Sequence, residues 1–153
     1  MSPEKPVFVE APRPERKSVM FLAYKEGKFL LENRTNPEKS YYGYTIIPGG
    51  KCDLGLDVNT GAAMERELDE EWGLRPGNVT LLDCFECITT KLKHYYVEAY
   101  LILDPQGTFE NREGKSEPIW VAYEQARNLL RFDNSRHVLE LAQRFIEALA
   151  RKD

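Results

Sequence analysis

Glu67, Glu70 and Glu71 lie within "ERELDEE", where five carboxylates fall in the seven residues from Glu65 to Glu71. On an α-helix Glu67 precedes Glu70 by three positions and Glu71 by four, so the three side chains leave one side of the cylinder. Like charges at that spacing repel. A hard divalent cation such as Mg²⁺ or Mn²⁺ reverses the sign, because carboxylate oxygens are its preferred ligands. The alternative is a solvated acidic face built from a good helix former, and helix chemistry alone does not choose between the two. Pro48, Gly49 and Gly50 precede this run, and two residues without side chains let backbone carbonyls and N–H groups approach a metal or a phosphate.

Positioning those groups requires a helix and a sheet. Met64, Leu68 and Trp72 recur at four-residue intervals beside the carboxylates, which predicts a helix from about Gly61 to Trp72 with its apolar face in a core. Thr60 is the expected N-cap and Gly73 the stop. Upstream, "SVMFLAYKEGKFLLENR" reads as a hairpin turning at Lys25 to Lys28, and "SYYGYTII" as a further strand stopped by Pro48-Gly49-Gly50. Downstream come "VTLLDCFECITT" and "KHYYVEAYLIL", two strands joined by a polar link at Lys91 to Lys93, then the loop "DPQGTFENREGKSEP". Tyr123 to Leu130 predicts a short helix. Ser135 introduces a longer one with Val138, Leu139, Ala142, Phe145, Ile146 and Leu149 on one side. Strands, helix, strands and terminal helices predict a mixed-sheet α/β/α sandwich.

The stretch "GGKCDLGLDVNTGAAMERELDEEWGL" resembles the signature of the Nudix hydrolases, G-x5-E-x7-R-E-U-x-E-E-x-G-U, where U is aliphatic. Arg66, Glu67, Leu68, Glu70, Glu71, Gly73 and Leu74 match its second half. Glu67, Glu70 and Glu71 would then be metal-binding or water-activating carboxylates, Gly49 or Gly50 would offer a backbone oxygen, and Arg66 would brace a carboxylate. The first half departs: Gly50 to Arg66 spans two residues more than the pattern allows, and Leu56 stands where glutamate is expected. Asp57 follows and can supply the missing carboxylate if the excess is absorbed within Lys51 to Asn59. The layout from residue 18 to 150 is similar to the family's, and the C-terminal segment is most like the MutT-like branch acting on nucleoside polyphosphates. The resemblance implies metal-assisted hydrolysis of a pyrophosphate linkage, with Glu67 as leading general base, a Mg²⁺ or Mn²⁺ cofactor and no organic cofactor. The alternatives are a nucleotide-sugar or related diphosphate hydrolase, and a non-catalytic module binding nucleotides or RNA ends.

Glu113 and Glu117, in the loop before Ile119 and Trp120, are the further candidates for metal binding or water activation, the alternative being solubilising loop charge. Glu98 stands among aromatic and aliphatic residues, where Arg66 or Lys91 could pair with it, the alternative being the wet side of an alternating strand. Tyr44, alternating with Tyr42, is a candidate to stack on a base, although packing is the commoner fate of such rings. Arg34, Lys39 and Lys51 could receive phosphates. Cys84 and Cys87 form a CxxC without a second pair, so they read as strand residues rather than zinc ligands. His94 and His137 have no nucleophilic partner in sequence.

The chain's 153 residues suit one domain, 18–150, behind a proline-rich extended arm at 1–17. Its formal charge of −4 disfavours duplex DNA as a partner. The three cysteines cannot pair fully, the N-terminus lacks the apolar core of a signal peptide, and no run is long enough to span a membrane, so a cytoplasmic location is expected. The expected partner is a small phosphorylated nucleotide, and the sequence leaves monomer and homodimer open.

Overall fold

The computed structural model describes residues 5–7, 16–53, 55–88 and 92–152. Most of the expected arm, and the Lys91 end of the polar link, lie outside these residues. Arg16 and Lys17, grouped with the arm by sequence, already pair with Tyr95 and Tyr96 in the sheet.

Seven strands form one mixed sheet. Strand β1 (Arg16–Lys25) is its centre. It runs parallel to β6 (His94–Leu103) on one side. On the other it pairs antiparallel with β4 (Gly49–Lys51) and then β2 (Lys28–Asn33). Strand β5 (Asn78–Ile88) borders β6, while β2 also carries β3 (Thr45–Ile46) and β7 (Glu117–Val121). Glu26 and Gly27, both at positive φ, make the tight turn of the first hairpin.

Period-two alternation along β1 and β2 makes two cores. Val19, Phe21, Ala23 and Leu30 face helix α1 (Thr60–Trp72), meeting Ala63, Met64, Leu68 and Trp72. Leu22, Phe29 and Leu31 face helices α2 (Tyr123–Leu129) and α3 (Asp133–Ala150), meeting Ala126, Val138, Leu139 and Ala142. The sheet is thus sandwiched between helical layers, the expected α/β/α architecture. Among the described residues no helix is long and apolar enough to cross a membrane.

Several local expectations need correction. The N-cap of α1 is Asn59, whose side chain accepts from Ala62 N, while the Thr60 hydroxyl turns to Glu98 and Tyr100. Glu98 is held by Thr60, Tyr96 and Tyr100 rather than by Arg66; the Lys91 alternative lies outside the described residues. The tyrosine run is not a strand up to Pro48: Tyr41 and Gly43, both at positive φ, fold it into a turn, leaving Thr45 and Ile46 extended. Gly49 and Gly50 do not stop a strand but form one. A Cβ on Gly49 would meet Val19 O at 2.3 Å, so only a glycine lets β4 lie this close to β1. Helix α3 starts at Asp133, before Ser135, and its apolar side is buried at Val138, Leu139 and Ala142 and 40% exposed by Leu149.

Candidate active site

Helix α1 is anchored by Met64, Leu68 and Trp72, all buried, and closed by Gly73 in the left-handed conformation. That anchoring fixes the direction of its acidic side but does not treat the three glutamates alike. Glu67 lies against the backbone of Gly50, where an added Cβ would stand 2.3 Å from the Glu67 carboxyl carbon. Glu70 is half exposed. Glu71 turns inward, and its buried Oε2 has no hydrogen-bond partner.

Arg66 organises the first part of this face. Its Nε and Nη2 donate to Asp57 Oδ1 and Oδ2, both at 2.9 Å, and its Nη1 donates to Glu67 and Glu70, both at 3.1 Å. Nη2 also donates to the Lys51 carbonyl at 3.1 Å. These five bonds use every N–H of the guanidinium. Asp57 is buried, and its other contact, from Asp53 N at 2.7 Å, closes the loop between β4 and α1. The hydrogen bonds from Arg66 hold the Asp57 carboxyl below its ordinary pKa. Asp57 therefore fills the role of a carboxylate partner to Arg66 within the helix-leading loop.

The second part has the opposite balance. Glu32, on β2, is buried, accepts from Ser116 Oγ at 2.8 Å and lies 3.6 Å from Arg34. The loop from 104 to 116 is tied to the end of α1 by Glu110 N to Trp72 O and Arg112 N to Glu71 O. It folds back through Asn111, which donates to the Ser116 carbonyl. This brings Glu113 and Lys115 to a small hollow shared with Glu32, Arg34, Glu71 and Trp72. Burial, followed by the charges of Glu32, Glu67 and Glu113, pushes the Glu71 carboxyl up to about 9. Glu32 and Glu67 are also raised, chiefly by burial.

Of the residues expected at the site, Glu67, Glu70, Glu71, Arg66, Gly50 and Glu113 come together. Arg34 borders the same hollow. Gly49 serves the β1–β4 approach, and Lys51 contributes its carbonyl to Arg66 while its side chain is exposed. Glu117 does not join the carboxylates: it is the first residue of β7, opposite Asn33, and lines a different cavity. Tyr44 packs on Phe132 at 5.2 Å and beside the Arg131 guanidinium. Glu32 is the residue the sequence reading missed. Its signal was a charged residue inside the apolar run "KFLLEN", in phase with Leu30 on the α1 side of the strand.

Among the described residues no group of three or more His, Cys, Asp or Glu side chains is arranged to hold a metal ion, and Arg66 ion-pairs with both Glu67 and Glu70. The donor set nevertheless fits a hard divalent cation: an unpartnered Glu71 oxygen, neighbouring carboxylates that raise the Glu71 pKa, and a glycine backbone with no Cβ in the way.

A sheet between two helical layers, with a carboxylate-bearing helix following a Gly-Gly strand, is a hydrolase architecture that the NUDIX domain family model matches over residues 14–142. The chain belongs to the Nudix family and is an enzyme of its pyrophosphohydrolase type. A MutT NUDIX hydrolase from Burkholderia pseudomallei is 25% identical, with a TM-score of 0.69, over 85% of this chain and 98% of that one. The E. coli ORF135 protein is 21% identical at a TM-score of 0.69, covering 87% and 91%. The NUDIX domain of Shewanella oneidensis NrtR, complexed with ADP ribose, is 17% identical at a TM-score of 0.69, covering 90% of each. The comparison with curated proteins gives no match.

Proposed function

We propose that this enzyme hydrolyses a phosphoanhydride bond in a nucleoside di- or polyphosphate, with nucleoside triphosphates and dinucleoside polyphosphates as the favoured substrates. The observation that carries the reading is the buried, unpartnered Glu71 oxygen in a hollow that Glu71 shares with Glu32 and Glu113, a gathering of acidic groups that a cation relieves. Glu67, Glu70, Glu71 and the Gly50 carbonyl would hold that ion, Mg²⁺ or Mn²⁺. When bound, a divalent cation neutralises phosphoryl oxygens and makes water a better nucleophile.

The remaining work falls to the chain. Glu67, pinned between Gly50 and Arg66, accepts the proton of the attacking water, with Glu113 as runner-up. Arg66 fixes the carboxylates of Glu67 and Glu70, and Asp57 fixes Arg66. Arg34 and Lys115, the two cations at the edge of the hollow, meet the phosphates. A nucleoside diphosphate carrying a second group is the other reading. The ADP ribose bound by the Shewanella neighbour favours it.

The test is a product-resolved screen of nucleoside triphosphates, dinucleoside polyphosphates, nucleotide sugars and diphosphoinositol compounds, with Mg²⁺ and Mn²⁺. Metal-dependent release of a mononucleotide from the first two classes is the expected result. Tight nucleotide binding with no product would instead assign a binding module.

A further inference from the structure

The hollow at the carboxylates measures about 20 Å³, above the roughly 10–15 Å³ that one water molecule needs and too little for a nucleotide. A strand, a helix end and a loop close it. Glu32 comes from β2, Glu71 and Trp72 from α1, and Asn111, Glu113 and Ser116 from the loop that folds back over the end of α1. Most of their polar atoms are already engaged. Ser116 Oγ donates to Glu32, Asn111 donates to the Ser116 carbonyl and accepts from Gly114 N, and Glu113 pairs with Lys115 at 3.2 Å.

Two neighbours in sequence are not. Among the described residues Glu71 Oε2 has no donor and the Trp72 indole N–H has no acceptor, and both atoms are buried. Trp72 is 1% exposed, and Phe109 stacks on its ring at 5.7 Å with 12° between the planes while meeting Trp120 edge-on. Burial and stacking thus fix the direction of the indole N–H. One small space therefore holds a donor and an acceptor that both lack a partner, and this pairing selects its occupant.

A divalent cation inside the hollow would answer Glu71 but face the positive end of the indole N–H. A phosphate oxygen would answer the indole but add negative charge to Glu32, Glu71 and Glu113. Water does both: its oxygen accepts from Trp72, and its hydrogens donate to Glu71 Oε2 and to Glu32 or Glu113. The two oxygens of an ionised carboxylate offer about four lone-pair sites, so a hydrogen bond to Oε2 leaves the others, and the charge, to a cation beside the hollow.

We propose that the hollow is a water site, in which one molecule bridges the Trp72 indole to Glu71 Oε2 and a second carboxylate, and so fixes the Glu71 carboxylate for the cation. Trp72 is then a positioning residue that reaches Glu71 through the water. The water follows from the hollow alone, whereas its effect on metal binding rests on the pyrophosphohydrolase reading above.

In isotope-labelled protein in chelator, the Trp72 indole proton is expected to show a nuclear Overhauser effect to a long-lived water. Trp72 and Trp120 are the two tryptophans, so Trp120→Phe leaves one indole signal and fixes its assignment. Replacing Trp72 by benzothienylalanine, whose sulfur takes the place of the N–H in a ring of the same shape, removes the donor without emptying the core. Calorimetric titration with Mn²⁺ should then show binding weakened roughly 10- to 100-fold, in the same direction as Trp72→Phe, while Trp120→Phe keeps its affinity. Absence of the water contact, unchanged Mn²⁺ affinity in the benzothienylalanine protein, or Mn²⁺ anomalous scattering from inside the hollow would each overturn the proposal. A long-lived water at Trp72 in a protein that binds no Mn²⁺ would sink the metal-dependent reading and leave the water site standing.

Discussion

The two halves of the carboxylate face, less than two helical turns long, obey opposite electrostatics. Around Arg66 the charges are matched: one guanidinium uses all five donors on Asp57, Glu67, Glu70 and a carbonyl. Around Glu71 they are not, because Glu32 and Glu113 add negative charge to a buried carboxylate whose Oε2 has no partner. A matched buried pair is part of the fold and costs stability when one partner is removed. An unmatched one costs stability as it stands and is kept where a ligand supplies the missing charge. The difference separates residues that build the site from residues that await its cation.

The largest effect expected is on chemistry. Glu67→Gln keeps the side chain's size against Gly50 but removes the proton acceptor, so single-turnover hydrolysis at saturating metal should fall by roughly 10²- to 10⁴-fold. Near-normal turnover would transfer the role to Glu113.

Next comes the matched half. Arg66→Met leaves Asp57, with only 3% of its side chain exposed, as a buried charge without its partner. Urea denaturation should show a loss of about 3 kcal/mol. Asp57→Asn should lose less, and the double variant should recover part of the deficit. Simple additivity would break the claim that the two act as a unit.

The unmatched half predicts the reverse sign. Glu71→Gln removes a carboxyl whose ionisation burial and three neighbouring carboxylates oppose. In chelator at pH 8 it should raise Tm by about 2–4 °C, the shift that about 1 kcal/mol produces in a domain of this size. The same variant should weaken Mg²⁺ binding and turnover. A lower Tm together with normal metal affinity would make Glu71 a structural residue.

The pH dependence sharpens the contrast. The Glu71 pKa in the folded, metal-free protein is raised from 4.5 to about 9, so the folded state binds the extra proton. Stability from this group is full below the unfolded value and is lost as pH rises toward about 9. Asp57 is lowered from 3.8, so its contribution is present above that value and lost as pH falls through the folded one. Scanning calorimetry in chelator should show a Tm declining from mildly acid to alkaline pH, and excess Mg²⁺ should flatten that decline. A decline of equal slope with and without metal would place the cation elsewhere.

Much of the fold was legible because it depends on period. The apolar runs of β1 and β2 mark strands buried on both faces, and the four-residue recurrence of Met64, Leu68 and Trp72 marks the buried face of α1. The matching of Arg66, Glu67, Glu70 and Glu71 to a signature located the helix of the site. Where the reading failed, local propensity met a tertiary constraint. Thr60 was as good a cap as Asn59 until Glu98 and Tyr100 claimed its hydroxyl. The tyrosines favoured a strand until Gly43 and the left-handed Tyr41 turned the chain.

The sequence by itself determined the carboxylates' common helix face, the apolar stripe that anchors it and the two glycines that leave backbone open ahead of it, because these follow from spacing and from the absence of a Cβ. Only the tertiary structure decided which carboxylates are satisfied. Glu32 and Glu71 are 39 residues apart in the chain, and a charge's cost depends on the burial and neighbours it finds in three dimensions. The same holds for Glu113 and Glu117. They belong to one short stretch of sequence, yet the fold-back of a loop brings one to the carboxylate hollow, and strand register sends the other to the cavity around the end of β2.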